Sequence, residues 1–255
     1  MSEVLDLFRL DGKNALVTGA SRGLGAAMAV ALAQAGANVA LHGSREVPQP
    51  VQERIRAAGR KAAVVIGDLQ DVQTAPRLVE EAVGALGSID ILINNAGMIR
   101  RAPAVEYPMA DWASVLQTNL TSVFQLCQAA GARMLAQGSG KIINIASLLT
   151  FQGGVFVPAY SAAKGAVGQL TKALANEWSS KGINVNAIAP GYMATDNTEA
   201  LRNDAVRSRQ ILERIPAGRW GAADDLAGAA IFLASRASDY VHGHVLVVDG
   251  GWLAR

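Results

Sequence analysis

Tyr160, Lys164 and Ser147 have the types and the spacing that proton transfer to a bound oxygen requires. Tyr160 and Lys164 are one turn apart in a segment with a helical pattern, so both side chains lie on the same helix face. A free phenol has a pKa of about 10, and a neighbouring ammonium favours the phenolate, which predicts a tyrosine that exchanges protons near neutral pH. Ser147 directly follows an apolar strand and is predicted to hydrogen-bond the same oxygen. The spacing alone also fits a surface lysine beside a half-buried ring.

A glycine-rich turn runs from Thr18 to Gly25, after the first predicted strand and before a helix. The free N–H groups and the dipole of a helix start favour a phosphate, and glycines let the backbone approach it closely. The spacing G-x-x-x-G-x-G is a variant of the G-x-G-x-x-G dinucleotide fingerprint. The alternative is a tight turn whose glycines serve helix–sheet packing only. As a dinucleotide site, the turn would contact the cofactor through Gly19, Ser21, Arg22, Gly23, Leu24 and Gly25.

The residues after the second predicted strand bear on which dinucleotide is bound. An acid usually holds the ribose 2′-OH there, whereas an arginine accommodates a 2′-phosphate. Gly43 stands where the acid is expected, and Ser44 and Arg45 follow it. With Arg22 in the first loop, this pattern favours NADP(H), although Glu46 offsets part of the positive charge.

Short apolar runs alternate with longer amphipathic segments, which is typical of βαβ units around a parallel sheet. The strands are continuous apolar runs, so we expect helices on both faces of the sheet. The pattern predicts a single-domain α/β fold over residues 1–255, with a doubly wound, seven-stranded parallel sheet. Strands are predicted at Ala15–Val17, Asn38–Leu41, Ala63–Ile66, Ile89–Ile93, Lys141–Ile145, Asn184–Ile188 and Val245–Val248. Helices are predicted at Leu24–Gln34, Val51–Ala58, Thr74–Leu86, Asp111–Ala136, Ala159–Ser179, Glu199–Arg214 and Asp224–Ala234.

Composition excludes several function classes. The chain has 255 residues, 51% of them hydrophobic, and a net charge of +2, which disfavours a nucleic-acid or anionic-lipid partner. Its single cysteine, Cys127, cannot form an internal disulfide or a zinc thiolate cluster, and we expect it, like His42, to be a packed structural residue with no metal site nearby. The apolar stretch from Ala26 to Leu41 is interrupted by polar residues, so no membrane span is predicted. The acidic start does not look like a secretory signal, and a cytoplasmic location is expected.

Taken together, these motifs resemble the short-chain dehydrogenase/reductase family along the whole chain. The motifs that carry the resemblance are the glycine turn, Asp68-Leu69, Asn94-Asn95-Ala96-Gly97, Asn119, Ser147, Tyr160, Lys164, and Pro190-Gly191 with Thr195. The resemblance implies a Rossmann fold and an oxidoreductase that uses NAD(P). A non-catalytic dinucleotide-binding protein is the rival from another class, and the complete acid/base set argues against it.

The resemblance also implies roles for individual residues. Tyr160 would exchange the proton, Ser147 would hold the substrate oxygen, Lys164 would lower the pKa of Tyr160 while binding the nicotinamide ribose, and Asn119 would anchor a water. Further cofactor contacts are implied for Asp68, Leu69, Asn95, Ala96, Gly97, Tyr160, Lys164, Pro190, Gly191, Met193 and Thr195.

Other segments resemble members of the family that act on a small sugar acid, such as 2-dehydro-3-deoxy-D-gluconate or 2-deoxy-D-gluconate. That likeness implies NAD, whereas the arginines favour NADP, so the cofactor prediction stays NAD(P). A carboxylate calls for a cation, and Arg100, Arg101 and Arg202 are candidates, each with a surface or subunit-contact salt bridge as the alternative. The predicted substrate contacts are Arg100, Ser147, Gln152, Tyr160, Met193, Asn197, Arg202 and Trp252. A 3-oxoacyl-carrier-protein reductase is the alternative activity.

Assembly is predicted from the resemblance as well. Family members commonly form homotetramers through the two long helices and the C-terminal strand. The apolar content of Asp111–Ala136 and the small residues after Tyr160 agree with such packing.

Overall fold

The computed structural model describes residues 3–255, except for the side chain of Asn197. Seven parallel strands form one sheet in the order β3-β2-β1-β4-β5-β6-β7. Their bounds are β1 Asn14–Val17, β2 Asn38–Gly43, β3 Ala62–Ile66, β4 Ile91–Asn94, β5 Gly140–Ile145, β6 Ile183–Pro190 and β7 Val245–Val248. The predicted strands are therefore confirmed, with shifts of a few residues at their ends, and the doubly wound fold class is confirmed.

The α-helices cover both faces of this sheet. Their bounds are α1 Gly23–Gln34, α2 Gln49–Ala57, α3 Thr74–Leu86, α4 Met109–Leu116, α5 Ser122–Gln137, α6 Pro158–Trp178, α7 Glu199–Asn203, α8 Ala205–Arg214 and α9 Ala227–Ala234. Successive residues of a strand pack into different hydrophobic cores on the two faces of the sheet. Val17 packs into the core that includes Met28 of α1, and Leu16 packs into the core that includes Leu78 of α3. Burial on both faces explains why the strands are continuous apolar runs.

The predicted helix Asp111–Ala136 is not continuous. A π-helical turn, Gln117–Thr121, separates α4 from α5. Asn119 lies in this turn, and its side chain bonds to the backbone of Met98: Oδ1 accepts from the N–H at 2.9 Å and Nδ2 donates to the carbonyl at 2.7 Å. Single π-turns inside helices recur at functional sites, and here the widened turn coincides with a residue predicted to be catalytic.

The predicted helix Glu199–Arg214 is also divided, into α7 and α8. Asp204 has an extended backbone (φ −82°, ψ 105°), and its carboxylate accepts hydrogen bonds from the N–H groups of Val206 and Arg207, each at 3.0 Å. This aspartate is therefore the N-cap of a new helix. Sequence periodicity did not reveal the break because apolar residues continue across it.

The carboxyl ends of all seven strands lie at one edge of the sheet because the strands are parallel. The glycine turn, the Asn-Asn-Ala-Gly segment, Ser147 and Pro190 each stand at or just after the end of a strand. In open α/β sheets, ligands bind at this edge, where the strand order reverses. Within residues 3–255, we find no helix with the length and apolarity that a bilayer crossing needs.

Candidate active site

Tyr160 and Lys164 lie in the first two turns of α6. Tyr160 is half-buried and Lys164 is only 4% exposed. The ammonium Nζ of Lys164 lies 5.6 Å from the centroid of the phenol ring and donates a hydrogen bond of 2.5 Å to the carbonyl of Ile145, the last residue of β5. The lysine thus joins the start of α6 to the carboxyl end of the sheet.

Burial governs the acidity of both groups. It lowers the pKa of Lys164 to about 8. It also raises the pKa of Tyr160 above its usual value, although a hydrogen bond with Ser147 and the positive charge of Arg101 both act to lower that pKa. The expectation that the Lys164 ammonium would leave the phenol more acidic is therefore not met here, because desolvation outweighs the charges around the ring.

Ser147 begins a short turn, Leu148–Thr150, directly after β5. Its Oγ accepts from the N–H of Leu149 at 3.2 Å. The hydroxyl of Thr150 accepts from the N–H of Ser147 at 3.3 Å and donates to the carbonyl of Lys164 at 2.8 Å. Ser147, Tyr160 and Lys164 are thus brought together, as predicted, and Thr150 is a linking residue that the sequence analysis missed. Its position three residues after a serine at a strand end was the available signal.

The glycine turn packs closely against the segment after β4. Gly19 has φ +63°, and a Cβ there would lie 2.9 Å from the Cα of Ala96. A Cβ on Gly25 would lie 2.2 Å from the carbonyl oxygen of Gly19. The amide of Asn95 donates to the carbonyls of Thr18 and Gly19, at 2.9 and 3.1 Å. Close packing is therefore sufficient to explain Gly19 and Gly25, in agreement with the alternative interpretation that the glycines serve packing only.

Gly23 differs from the other two glycines. It is exposed, has φ +55°, and a Cβ there would meet nothing closer than Thr195 Cγ2 at 3.7 Å. It is the first residue of α1, and within the described residues no side chain caps that helix and no acid lies in its first turn. Free N–H groups beside an open glycine fit a phosphate, so the turn can hold the pyrophosphate of a dinucleotide.

A second segment lies over the glycine turn. Thr195 is the nearest neighbour of a Cβ placed on Gly23, and Asp196 forms an exposed ion pair of 3.0 Å with Arg22. Arg22 was predicted to meet a cofactor phosphate, and here it is paired with an acid that the sequence analysis did not single out. Chain separation explains the omission, because nothing local in the sequence joins residues 22 and 196.

The ends of β2 and β3 carry the residues predicted to meet the adenine and its ribose. A Cβ on Gly43 would lie 2.1 Å from the Glu46 carbonyl oxygen and 2.6 Å from Ser21 Oγ, so an acidic side chain has no room at this position. Ser44, Arg45 and Asp68 are exposed, whereas Leu69 is buried at 3% exposure.

The segment after β6 runs beside the loop after β7. The N–H of Gly191 donates to Val248 at 2.9 Å, and a Cβ on Gly191 would lie 2.6 Å from the Cα of Asp249. Pro190 and Met193 are buried. The close approach of the two backbone segments therefore requires glycine at position 191. Gly97, after β4, is a similar case, because a Cβ there would lie 2.7 Å from Asn119 Oδ1.

The predicted substrate contacts are only partly assembled. Arg100 lies 3.7 Å from Asp111, and Arg202 donates to the Thr195 carbonyl at 3.3 Å, so both of these arginines already have partners. Arg101 also has an interaction of its own, and its positive charge acts to lower the pKa of Tyr160. The side chain of Asn197 lies outside the described part of the chain.

Trp252, another predicted substrate contact, is packed among other side chains. It is 4% exposed, its ring lies under the guanidinium of Arg214 at 4.0 Å, and its Nε1 donates to Gln152 Oε1 at 3.2 Å. The ring also packs on Tyr192, with centroids 4.6 Å apart. Trp252 therefore supports the loops that carry Gln152 and Tyr192, and its contact with substrate stays a prediction.

Comparison with known proteins agrees with this geometry. A family model described as enoyl-(acyl carrier protein) reductase matches residues 19–253. The 2-dehydro-3-deoxy-D-gluconate 5-dehydrogenase of Dickeya dadantii is 52% identical over 253 residues, covering 99% of this chain and 100% of the relative. The protein of the same name from Escherichia coli is 53% identical over 255 residues, covering 99% and 100%.

A solved structure shares the whole fold as well. The crystal structure of a gluconate 5-dehydrogenase from Burkholderia cenocepacia, in complex with NADP and tartrate, superposes with a TM-score of 0.94 at 42% identity, covering 99% of this chain and 100% of that one. This chain belongs to the short-chain dehydrogenase/reductase family.

Proposed function

We propose that this chain transfers a hydride between NAD(P) and a secondary alcohol or ketone of a small sugar acid, with 2-dehydro-3-deoxy-D-gluconate as the foremost candidate. The observation that carries the proposal is the half-buried Tyr160, hydrogen-bonded to Ser147 and 5.6 Å from the Lys164 ammonium. The substrate follows from the names of the Dickeya and Escherichia relatives, which match this chain over their full length.

A bound nicotinamide supplies the ring carbon that gives or accepts the hydride. In reduction, Tyr160 donates its proton to the substrate oxygen as the carbonyl becomes a hydroxyl; in oxidation, its phenolate takes that proton back. Because burial raises the pKa of Tyr160, the phenol is protonated at neutral pH and ready to act as the acid. Ser147 donates to or accepts from the same oxygen and so orients it.

Lys164 and Asn119 support the proton transfer by Tyr160. With a pKa of about 8, Lys164 is mostly an ammonium at neutral pH and can bind the hydroxyls of the nicotinamide ribose. The side chain of Asn119 makes one hydrogen bond through each of its polar atoms, both to Met98, so one N–H and one lone pair remain for a water. We propose that Asn119 holds the relay water.

The cofactor we propose is NADP(H) in preference to NAD(H). No carboxylate can occupy position 43, and Ser44 and Arg45 are exposed beside it. Arg22 would have to leave Asp196, but an exposed pair of this kind contributes only about 0–1 kcal/mol. The gluconate 5-dehydrogenase relative was crystallised with NADP.

For the substrate carboxylate we propose Arg101. Among the candidate arginines it is the one whose charge acts on Tyr160, which places it near the reacting oxygen. A guanidinium can bind a carboxylate in two parallel hydrogen bonds, which fixes the orientation of the acid.

We further propose a homotetramer. Strand β7 is an edge of the sheet and all its residues are half-buried, so its open side offers backbone groups to a second copy. Phe124 of α5 is 43% exposed, whereas Leu126 and Met134 of the same helix are buried.

The proposed function is tested by a matched set of assays. Nicotinamide absorbance is followed with 2-dehydro-3-deoxy-D-gluconate, gluconate and a 3-oxoacyl thioester, each with both coenzymes at equal concentration. We expect turnover on the sugar acids and a higher kcat/KM with NADP(H). Turnover on the thioester alone would contradict the substrate class, and a strong NAD(H) preference would contradict the role of Arg22 and Arg45.

Replacing Tyr160 by Phe should lower kcat by at least about 10³-fold because only the proton carrier is lost. Coenzyme affinity, measured by nicotinamide fluorescence, should change by less than about threefold because the ring remains. Tyr240→Phe is the control, since Tyr240 is 99% exposed, and it should behave like the unmodified protein. Substantial turnover by the Tyr160 variant would reject the assignment.

Replacing Arg101 by Met should raise KM for the sugar acid by about 10–100-fold, the effect of losing a charge-assisted hydrogen bond worth about 1.5–3 kcal/mol. The methyl ester of the same substrate should respond much less, because it has no carboxylate. Arg100→Met serves as the matched control. If both substrates lose activity equally, Arg101 acts on Tyr160 alone and does not bind the carboxylate.

The tetramer should appear in multi-angle light scattering as four times the 26.5 kDa mass of one chain. A charged residue placed in the edge strand, such as Val247→Lys, should reduce the measured mass, since it opposes strand-edge pairing. A monomer in the unmodified protein would overturn the proposal.

A further inference from the structure

His42 is a buried imidazole, 2% exposed, in β2 beneath the glycine turn. Its Nδ1 lies 3.2 Å from the backbone N of Gly19, and its Nε2 lies 2.9 Å from the carbonyl oxygen of Gly67, just after β3. The carbonyl of His42 also accepts from the N–H of Ala20 at 2.8 Å. One residue thus ties the turn after β1 to the loop after β3.

These partners determine the protonation state of the ring. The Gly19 N–H can only donate, so Nδ1 must accept, and the Gly67 carbonyl can only accept, so Nε2 must carry a proton. The imidazole is therefore neutral, in the Nε2–H form. No other state satisfies both contacts.

Protonation of His42 would convert its Nδ1 atom from a hydrogen-bond acceptor into a donor. In the imidazolium, Nδ1–H would face the Gly19 N–H, and both groups would lose a buried hydrogen bond. The turn has little freedom to adjust, because Gly19 has φ +63° and lies close to Ala96 on its other side. The turn would have to move away from β2.

The charges around His42 are few. Burial is the largest influence and lowers its pKa below the ordinary value; Arg77 of α3 lowers it further, and Asp68 after β3 opposes this. Arg22, Arg45 and Glu46 are exposed on the adjoining turns. Because the folded pKa is depressed, the stability contributed by the neutral ring is complete above the unfolded pKa of about 6.5 and is lost as pH falls through the folded pKa.

We infer that His42 is a positioning residue that holds the glycine turn in its coenzyme-binding shape, and that protonation of His42 releases the turn and weakens coenzyme binding. The Gly19 N–H is occupied by His42, so the pyrophosphate must take its hydrogen bonds from the later N–H groups at the start of α1. The inference rests on the proposed binding of NAD(P) and adds a pH dependence to it.

The ring state is tested directly by ¹⁵N–¹H NMR of the protein without coenzyme. Of the three histidines in the chain, one should show the neutral Nε2–H pattern with a pKa below the ordinary value of an imidazole, and its signals should vanish in His42→Asn. An Nδ1–H pattern, or an ordinary titration at His42, would overturn the inference without any reference to activity.

Coenzyme affinity is measured by NADH fluorescence at pH 8 and pH 5.5 in three variants. His42→Asn places an amide oxygen near the Nδ1 position and cannot be protonated, so it should bind NADH within about threefold of the unmodified protein at pH 8 and lose the pH dependence. Since one proton changes affinity by at most tenfold per pH unit and the pKa of His42 lies below 6.5, we expect a measurable loss of less than about tenfold in the unmodified protein at pH 5.5.

His42→Gln offers its amide to Gly67 and leaves Gly19 without an acceptor, so it should bind weakly at both pH values. His244→Asn, at an exposed histidine, is the matched control and should keep the pH dependence of the unmodified protein. If His42→Asn retains that dependence, the inference fails while coenzyme binding stands. If no variant binds NADH or NADPH at pH 8, the proposed function itself fails.

Discussion

The hydrogen bond from the buried Lys164 ammonium to the Ile145 carbonyl is the interaction on which the geometry of the site depends. It takes a charged group that is only 4% exposed and fixes it between the second turn of α6 and the last residue of β5. Burying such a group without partners is costly, so the start of α6 cannot shift without exposing or orphaning the charge. Tyr160, one turn earlier, and Ser147, two residues after Ile145, are held in register by the same contact. Thr150 adds a second connection between the same two elements.

The opposite side of the cleft is organised by backbone contacts instead of a charge. The glycine turn is held from one side by the amide of Asn95 and from the other by His42. Two of its glycines are needed because neighbouring backbone lies within about van der Waals distance, and only Gly23 opens toward the cleft. A turn constrained in this way presents its free N–H groups to a phosphate without a further loss of conformational entropy on binding. The ion pair between Arg22 and Asp196 brings the segment after β6 over this turn, so the two halves of the cleft meet there.

Acidity at Tyr160 is set by opposing effects. Desolvation favours the neutral phenol, whereas the hydrogen bond with Ser147 and the charge of Arg101 favour the phenolate. A phenol that is protonated at rest and surrounded by groups that stabilise its anion can serve both directions of a proton transfer. The same burial keeps the Cys127 thiol protonated, with a pKa raised to about 12, so this cysteine is a packed residue and not a nucleophile.

The local sequence determined the secondary-structure elements and the types of catalytic residue in the site. Periodicity placed the seven strands and most helices because each element buries one face or both, and the one-turn spacing of Tyr160 and Lys164 placed both on one helix face. Contacts between loops could not be determined this way. The link from His42 to Gly19, the pairing of Arg22 with Asp196 and the burial of Trp252 each depend on segments that meet only when parallel strands end at one edge. The direction of the Tyr160 pKa shift was decided by the tertiary structure as well, because the desolvation of a side chain depends on everything packed around it and not on its neighbours in the chain.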